Sequence, residues 1–212
     1  MRDCAFLVAD KNMGELFRGF FGRQNAYARL GCGPFLFEAE RDLRVAAGQN
    51  DPGLYVRGHN LLRPFQRTHR HAVIVLDSAW EGSPGTVAIE AHIRENLRNS
   101  GWPKDSADVI VIEPELENWV WLDSSHVARL LGFKEFGELR GWLDRDGLWP
   151  TEAAKPPDPK TAFQRILTHA GKHRSAAYYR KIIERASVRS CVDPAFQKLR
   201  SALQRWFPPA DN

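Results

Sequence analysis

The chain reads as an α/β protein: a mostly parallel sheet flanked by helices, followed by a helical C-terminal part. Two observations carry this. Short apolar runs recur and end on an acid, at Asp10, Asp77 and Glu113. Between them lie stretches whose apolar residues return every three to four positions. Short β-rich runs separated by helical patterns build parallel sheets. Such sheets are covered on both faces, so their strands read as unbroken apolar stretches rather than alternating ones.

Taken in order, "CAFLVAD" (4–10) is the first strand. "MGELFRGFFGR" follows with Met13, Leu16, Phe17, Phe20 and Phe21 on one helical face. "PFLFEAE" (34–40) is a second strand candidate, and 41–57 reads as a loop marked by Gly48, Asn50, Asp51, Pro52 and Gly53. "GHNLLRPFQRTHR" predicts a helix broken or kinked near Pro64. "HAVIVLD" (71–77) is the next strand. Ser83 and Pro84 look like the cap and first residue of the helix that carries Val87, Ala91, Ile93 and Leu97. "ADVIVIE" (107–113) is another strand, and "ELENWVWLDSSHVARLLGF" reads as two short helices, with Ser124 or Ser125 capping the second.

The organisation then changes. We place an α/β domain at 1–146, a Pro-rich connection at 147–159 and a basic helical part at 160–212, packed on the α/β domain. In that last part Asp193 followed by Pro194 is a helix start, and Phe196, Leu199, Leu203 and Trp206 form one apolar stripe.

Composition excludes several classes. The chain of 212 residues is 43% hydrophobic and 26% charged, enough for a true core. No apolar run approaches the roughly 20 residues of a bilayer span. The apolar stretch near the start is cut off by Asp10 and Lys11 before it could serve as a signal peptide, so a cytoplasmic location is expected. Cys4, Cys32 and Cys191 are odd in number and far apart, which suits reduced thiols. Net charge is +4, yet residues from 151 onward hold 12 Lys and Arg against 5 Asp and Glu, while 1–150 carry −3. A basic final third faces nucleic acid, an acidic partner or simply water.

In open α/β sheets ligands sit outside the carboxyl ends of the strands. Topology alone therefore sends Asp10 and Asp77 to one rim, with Glu81 close behind and Glu117 in the cluster "IEPELENW". Carboxylates gathered there repel one another, and Mg²⁺ relieves the repulsion by taking one or two of them beside waters and phosphate oxygens. The competing reading makes them ordinary caps and solvated acids. No G-x-x-x-x-G-K-[ST], G-x-G-x-x-G or G-x-S-x-G element occurs.

The strand–acid–helix opening, the later "VIVLD" strand and "IEPELENWVWLD" together resemble the small Toprim-like proteins of bacterial defence and mobile-element loci. "DPKTAFQRIL", "YYRKIIERASV" and "CVDPAFQKLRSAL" are similar to their helical tail. Within that group the chain is most similar to a small component of methylation-associated phage-defence systems. The resemblance implies a Toprim fold and a Mg²⁺ (or Mn²⁺) site for phosphoryl-transfer chemistry on nucleic acid. Asp77 matches the first Asp of the family's Asp-x-Asp, and the second falls on Ala79. Asp10 stands where the family has Glu, with Glu15 a turn later; Glu81 is placed to replace the lost Asp, and Glu117 with Asp123 match further acids.

Two functions follow. In one, a metal-dependent nuclease uses Asp10, Asp77, Glu81 and Glu117 as catalytic metal ligands, with His59, Arg63, Arg67 and Arg70 on nucleic-acid phosphates. In the other, a degenerate subunit keeps the fold and binds a partner protein or nucleic acid within a defence complex.

Overall fold

The structure, a computed structural model, describes residues 1–46, 48, 50–189 and 191–209. The elements run β1 (Arg2–Val8), α1 (Lys11–Phe21), α2 (Ala26–Arg29), α3 (Ala39–Asp42), β2 (Leu43–Val45), α4 (Asn50–Leu62), β3 (His69–Asp77), α5 (Thr86–Asn99) and β4 (Ala107–Ile112). Then come α6 (Ser125–Leu130), α7 (Phe136–Arg145), α8 (Pro159–His169), α9 (Ala176–Ile183) and α10 (Pro194–Trp206). The sheet order is β2-β1-β3-β4 and every pairing is parallel. The expected α/β architecture is present, consistent with a Toprim-like fold carrying C-terminal helices.

The central strands bury five consecutive residues each, Cys4–Val8 and Ala72–Leu76. Alternation sends neighbouring side chains to opposite faces. Phe6 meets Phe17 and Phe21 of α1, with ring centroids 5.5 and 4.9 Å away. Ile74 is pressed against Gly58 of α4, where an added Cβ would lie 2.8 Å from its Cδ1. Helices thus cover both faces; β3 is paired on both sides, and β2 covers the outer edge of β1 over Phe6–Val8.

Several boundaries differ from the sequence reading. Residues 34–40 form no strand; the edge strand is the three-residue β2 instead. Pro34 has no N–H for a ladder. Leu36 gives its amide to the Asp3 carboxylate at 2.8 Å, while Phe35 and Phe37 turn into the aromatic cluster around Phe21. The loop assigned to 41–57 contains β2 and the first two turns of α4. Pro52 falls in the first turn of α4, where a missing N–H costs nothing. The helix ends at Leu62, and a 3₁₀ turn over Arg63–Arg67 follows with Pro64 near its start. α5 starts at Thr86, not Pro84: Gly85 sits at φ +88°, a conformation closed to most residues, and Ser83 Oγ accepts the Gly85 amide. The first of the two short helices expected after β4 is a single 3₁₀ turn, Leu116–Trp119, preceded by Glu115.

The caps at the far end hold as read. Asp193 accepts the Phe196 amide at 3.0 Å and also the Trp119 indole N–H at 2.9 Å. Ser124 accepts the His126 amide. One apolar cluster runs from β1 through α10 without interruption. The connection 147–159 is anchored in it by Trp149, which is buried and donates its indole N–H to the Ala153 carbonyl at 2.9 Å. Of the helical part expected at 160–212, Ser190 and residues 210–212 lie outside the described residues.

Candidate acidic site at the carboxyl edge

Parallel pairing puts Val8 opposite Val75 and Asp77 opposite Ile112. Asp10 and Asp77 therefore leave adjacent strands at the same height, on the same rim. Asp10 is the N-cap of α1: its Oδ1 accepts the Met13 amide at 2.8 Å and its Oδ2 accepts from the Asn12 side chain at 3.3 Å. Asp77 ends β3. Its backbone N–H donates to Asp51 Oδ1 at 2.7 Å, which brings the first turn of α4 to the same place.

Asp77 is half-buried, and its Oδ1 is enclosed without a hydrogen-bond partner. Burial, and then the negative fields of Asp51, Glu117, Asp10 and Glu115, push its proton affinity well above the usual carboxylate range. Asp51 is raised too, first by burial and then by Asp10, against the opposing Asp77 amide and the Lys160 charge.

Two acids of the cluster are paired with cations. Glu117, 1% exposed, accepts from the Tyr179 hydroxyl at 2.5 Å and from the Arg174 guanidinium. Arg174 also donates its Nε to the Tyr179 oxygen at 2.9 Å. Burial and the Glu117 charge hold the Tyr179 phenol protonated far above its ordinary range. Glu115 accepts from Lys160 Nζ at 2.7 Å, and this bond raises the lysine's proton affinity.

The expected residues divide as follows. Asp10, Asp77 and Glu117 meet at the rim. Glu81 lies in the exposed turn after β3, outside the set of charges acting on Asp77. His59 is half-buried in the last turn of α4, and burial lowers its proton affinity. Arg63, Arg67 and Arg70 are exposed at the opposite end of the sheet. Seven residue steps along β3 separate Arg70 from Asp77, about 23 Å at roughly 3.3 Å per residue. These three arginines and the acids therefore do not share one cleft.

Sequence reasoning missed Asp51, Glu115, Lys160, Arg174 and Tyr179. Asp51 carried a signal, as an acid ahead of Pro52 at a helix start. Arg174 and Tyr179 reach Glu117 across 57 and 62 residues, with no local pattern to mark them.

Among the described residues, no three His, Cys, Asp or Glu side chains form a group able to ligate a metal ion. Mg²⁺ asks for less, one or two carboxylates with waters. The unpartnered Asp77 oxygen beside Asp51 fits that demand.

The chain matches no family model, no curated protein and no solved structure. Among the described residues no helix is long and apolar enough to cross a membrane.

Proposed function

We propose that this is a Toprim-like protein of a bacterial anti-phage defence system, a Mg²⁺- or Mn²⁺-dependent nuclease working at the carboxyl edge of its sheet. The observation that carries the reading is Asp77. A buried carboxylate oxygen without a partner, facing four other acids, is costly when ionised, and a divalent cation removes that cost. Asp77 and Asp51 hold the ion in this reading, and Asp10 stays fixed as the α1 cap beside them. Once bound, Mg²⁺ supplies Lewis acidity and a lowered proton affinity to a coordinated water. Arg174 and Lys160 flank the acids and give phosphate oxygens cationic partners. Tyr179 keeps the Glu117 carboxylate in place.

The test uses the full chain titrated with MgCl₂ and MnCl₂, read by calorimetry, melting temperature and cleavage of DNA and RNA. The expected result is metal uptake, a higher melting temperature and cleavage, all lost in Asp77→Asn. Absence of uptake at millimolar metal overturns the reading.

The second reading, a subunit that binds without cutting, is favoured by the ion pair that occupies Glu117 and by Ala79 at the family's second Asp position. Metal uptake without cleavage of any nucleic acid selects it.

A further inference from the structure

The amino edge of the sheet, opposite the acids, gathers positive charge from four separate stretches of chain. Arg63, Arg67, Arg70 and Lys104 are exposed there, and among the described residues none of them has an ion-pair partner or a side-chain hydrogen bond. Beside them Arg94 and Arg205 both reach a single carboxylate, Asp108, at 2.9 and 3.3 Å. One acid thus serves two guanidiniums.

Specific contacts lock these stretches together. Gln66 Nε2 donates to the Ser100 carbonyl at 2.9 Å, tying the turn that carries Arg67 to the end of α5. The Trp206 indole donates to the Asp105 carbonyl at 2.6 Å, and its ring stacks on His71 with centroids 4.5 Å apart. That pins the end of α10, with Arg205, against the starts of β3 and β4. Between α5, the loop before β4 and Arg205 runs an open groove of about 760 Å³.

Helix dipoles explain part of this charge. α5 and α10 both end at this edge, and each carries roughly half a negative charge at its C-terminus, felt within the last turn. Arg98 and Arg205 occupy those last turns. α4 ends here as well, at Leu62, so Arg63 and the 3₁₀ turn that carries Arg67 also follow a helix C-terminus; the dipoles leave Arg70 and Lys104 unaccounted for.

We propose that this edge is a binding site for the phosphodiester backbone of nucleic acid, read without base specificity and separate from the acidic rim. Guanidiniums predominate, and their planar fork matches phosphate oxygens. Protein partners anchor on buried apolar or aromatic side chains. Glu95, Asp105 and Asp108 line the groove against four cations, and its largest apolar residues, Leu97 and Trp102, are buried. The assignment stands whether or not the acidic rim takes a metal.

The experiment is fluorescence anisotropy of the full chain with a short labelled DNA duplex and a labelled RNA strand, between about 50 and 200 mM salt. The wild type is expected to bind, with affinity falling steeply as salt rises. Arg67→Gln/Arg70→Gln/Lys104→Gln changes only exposed, unpaired side chains, so its melting temperature stays put. Its DNA affinity at low salt is expected to drop at least tenfold. The slope of log affinity against log salt should flatten by about three, near one unit per lost phosphate contact. Three results overturn the proposal: no binding at low salt, an unchanged slope in the triple variant, or displacement of the probe by polyglutamate as readily as by unlabelled nucleic acid. Loss of binding with Mg²⁺ uptake intact separates this site from the acidic one.

Discussion

The Asp77 amide donates a 2.7 Å hydrogen bond to the Asp51 carboxylate, and so the last residue of β3 is joined to the first turn of α4. The bond satisfies a backbone donor at the strand end, and in doing so it brings a second carboxylate up to the first. Local hydrogen bonding and unfavourable charge are thereby coupled. The strand end is tidy as backbone and costly as electrostatics, an imbalance that functional sites tolerate and plain structural corners avoid.

The first prediction concerns pH. Asp77 binds its proton more tightly in the folded chain than in the unfolded one. Above about pH 4, where an unfolded Asp ionises, the native state keeps the proton that the unfolded state gives up. Stability therefore falls as pH rises through that window. Asp77→Asn removes the term. At pH 7 without metal the variant should be more stable than wild type by on the order of 1 kcal/mol, and the gain should vanish near pH 4. Urea midpoints at the two pH values decide it; an equal difference at both contradicts the electrostatic account.

The second concerns the Glu117 ion pair. Arg174→Ala leaves a buried carboxylate with the Tyr179 hydroxyl alone and should cost about 3–5 kcal/mol. Tyr179→Phe removes one donor and should cost about 1–3 kcal/mol. Because both act on the same carboxylate, the double variant should lose less than the sum of the two. Denaturant unfolding of the four proteins completes the cycle, and strict additivity refutes the shared network.

The third concerns the docking of α9. A Cβ built on Gly19 of α1 lies 2.8 Å from the Arg180 carbonyl oxygen and 2.8 Å from Ile183 Cγ2. Gly19→Ala forces α1 and α9 apart and should destabilise by about 1–3 kcal/mol. α9 carries Tyr179, so proteolysis within 170–189 should accelerate in this variant. Unchanged cleavage there shows that the close approach is not needed.

Legibility in the sequence followed the range of the interactions. Unbroken apolar runs announced β1, β3 and β4, since burial on two faces leaves no room for polar residues. The α1 stripe from Met13 to Phe21, and the Asp193–Pro194 start of α10, were readable for a similar reason: each signal lies within one or two helical turns. Residues 34–40 misled because Phe35 and Phe37 alternate like a strand yet spend their apolar area on an aromatic cluster. Gly85 displaced the expected start at Ser83 and Pro84 because backbone conformation, not side-chain chemistry, places that helix.

At the acidic rim, parallel topology was enough to bring Asp10 and Asp77 together, and it could be inferred from strand order of appearance and apolar pattern. Which acids stay free was decided elsewhere. Tyr179 of α9 and Arg174 of the loop before it close on Glu117, and Lys160 of α8 on Glu115, all from more than forty residues away. The same distance effect sent Arg63, Arg67 and Arg70 to the far end of β3. Periodicity records which face of an element is buried, because that depends on neighbours along the chain. Ion pairing across the fold depends on where whole helices dock, and only packing in three dimensions sets that.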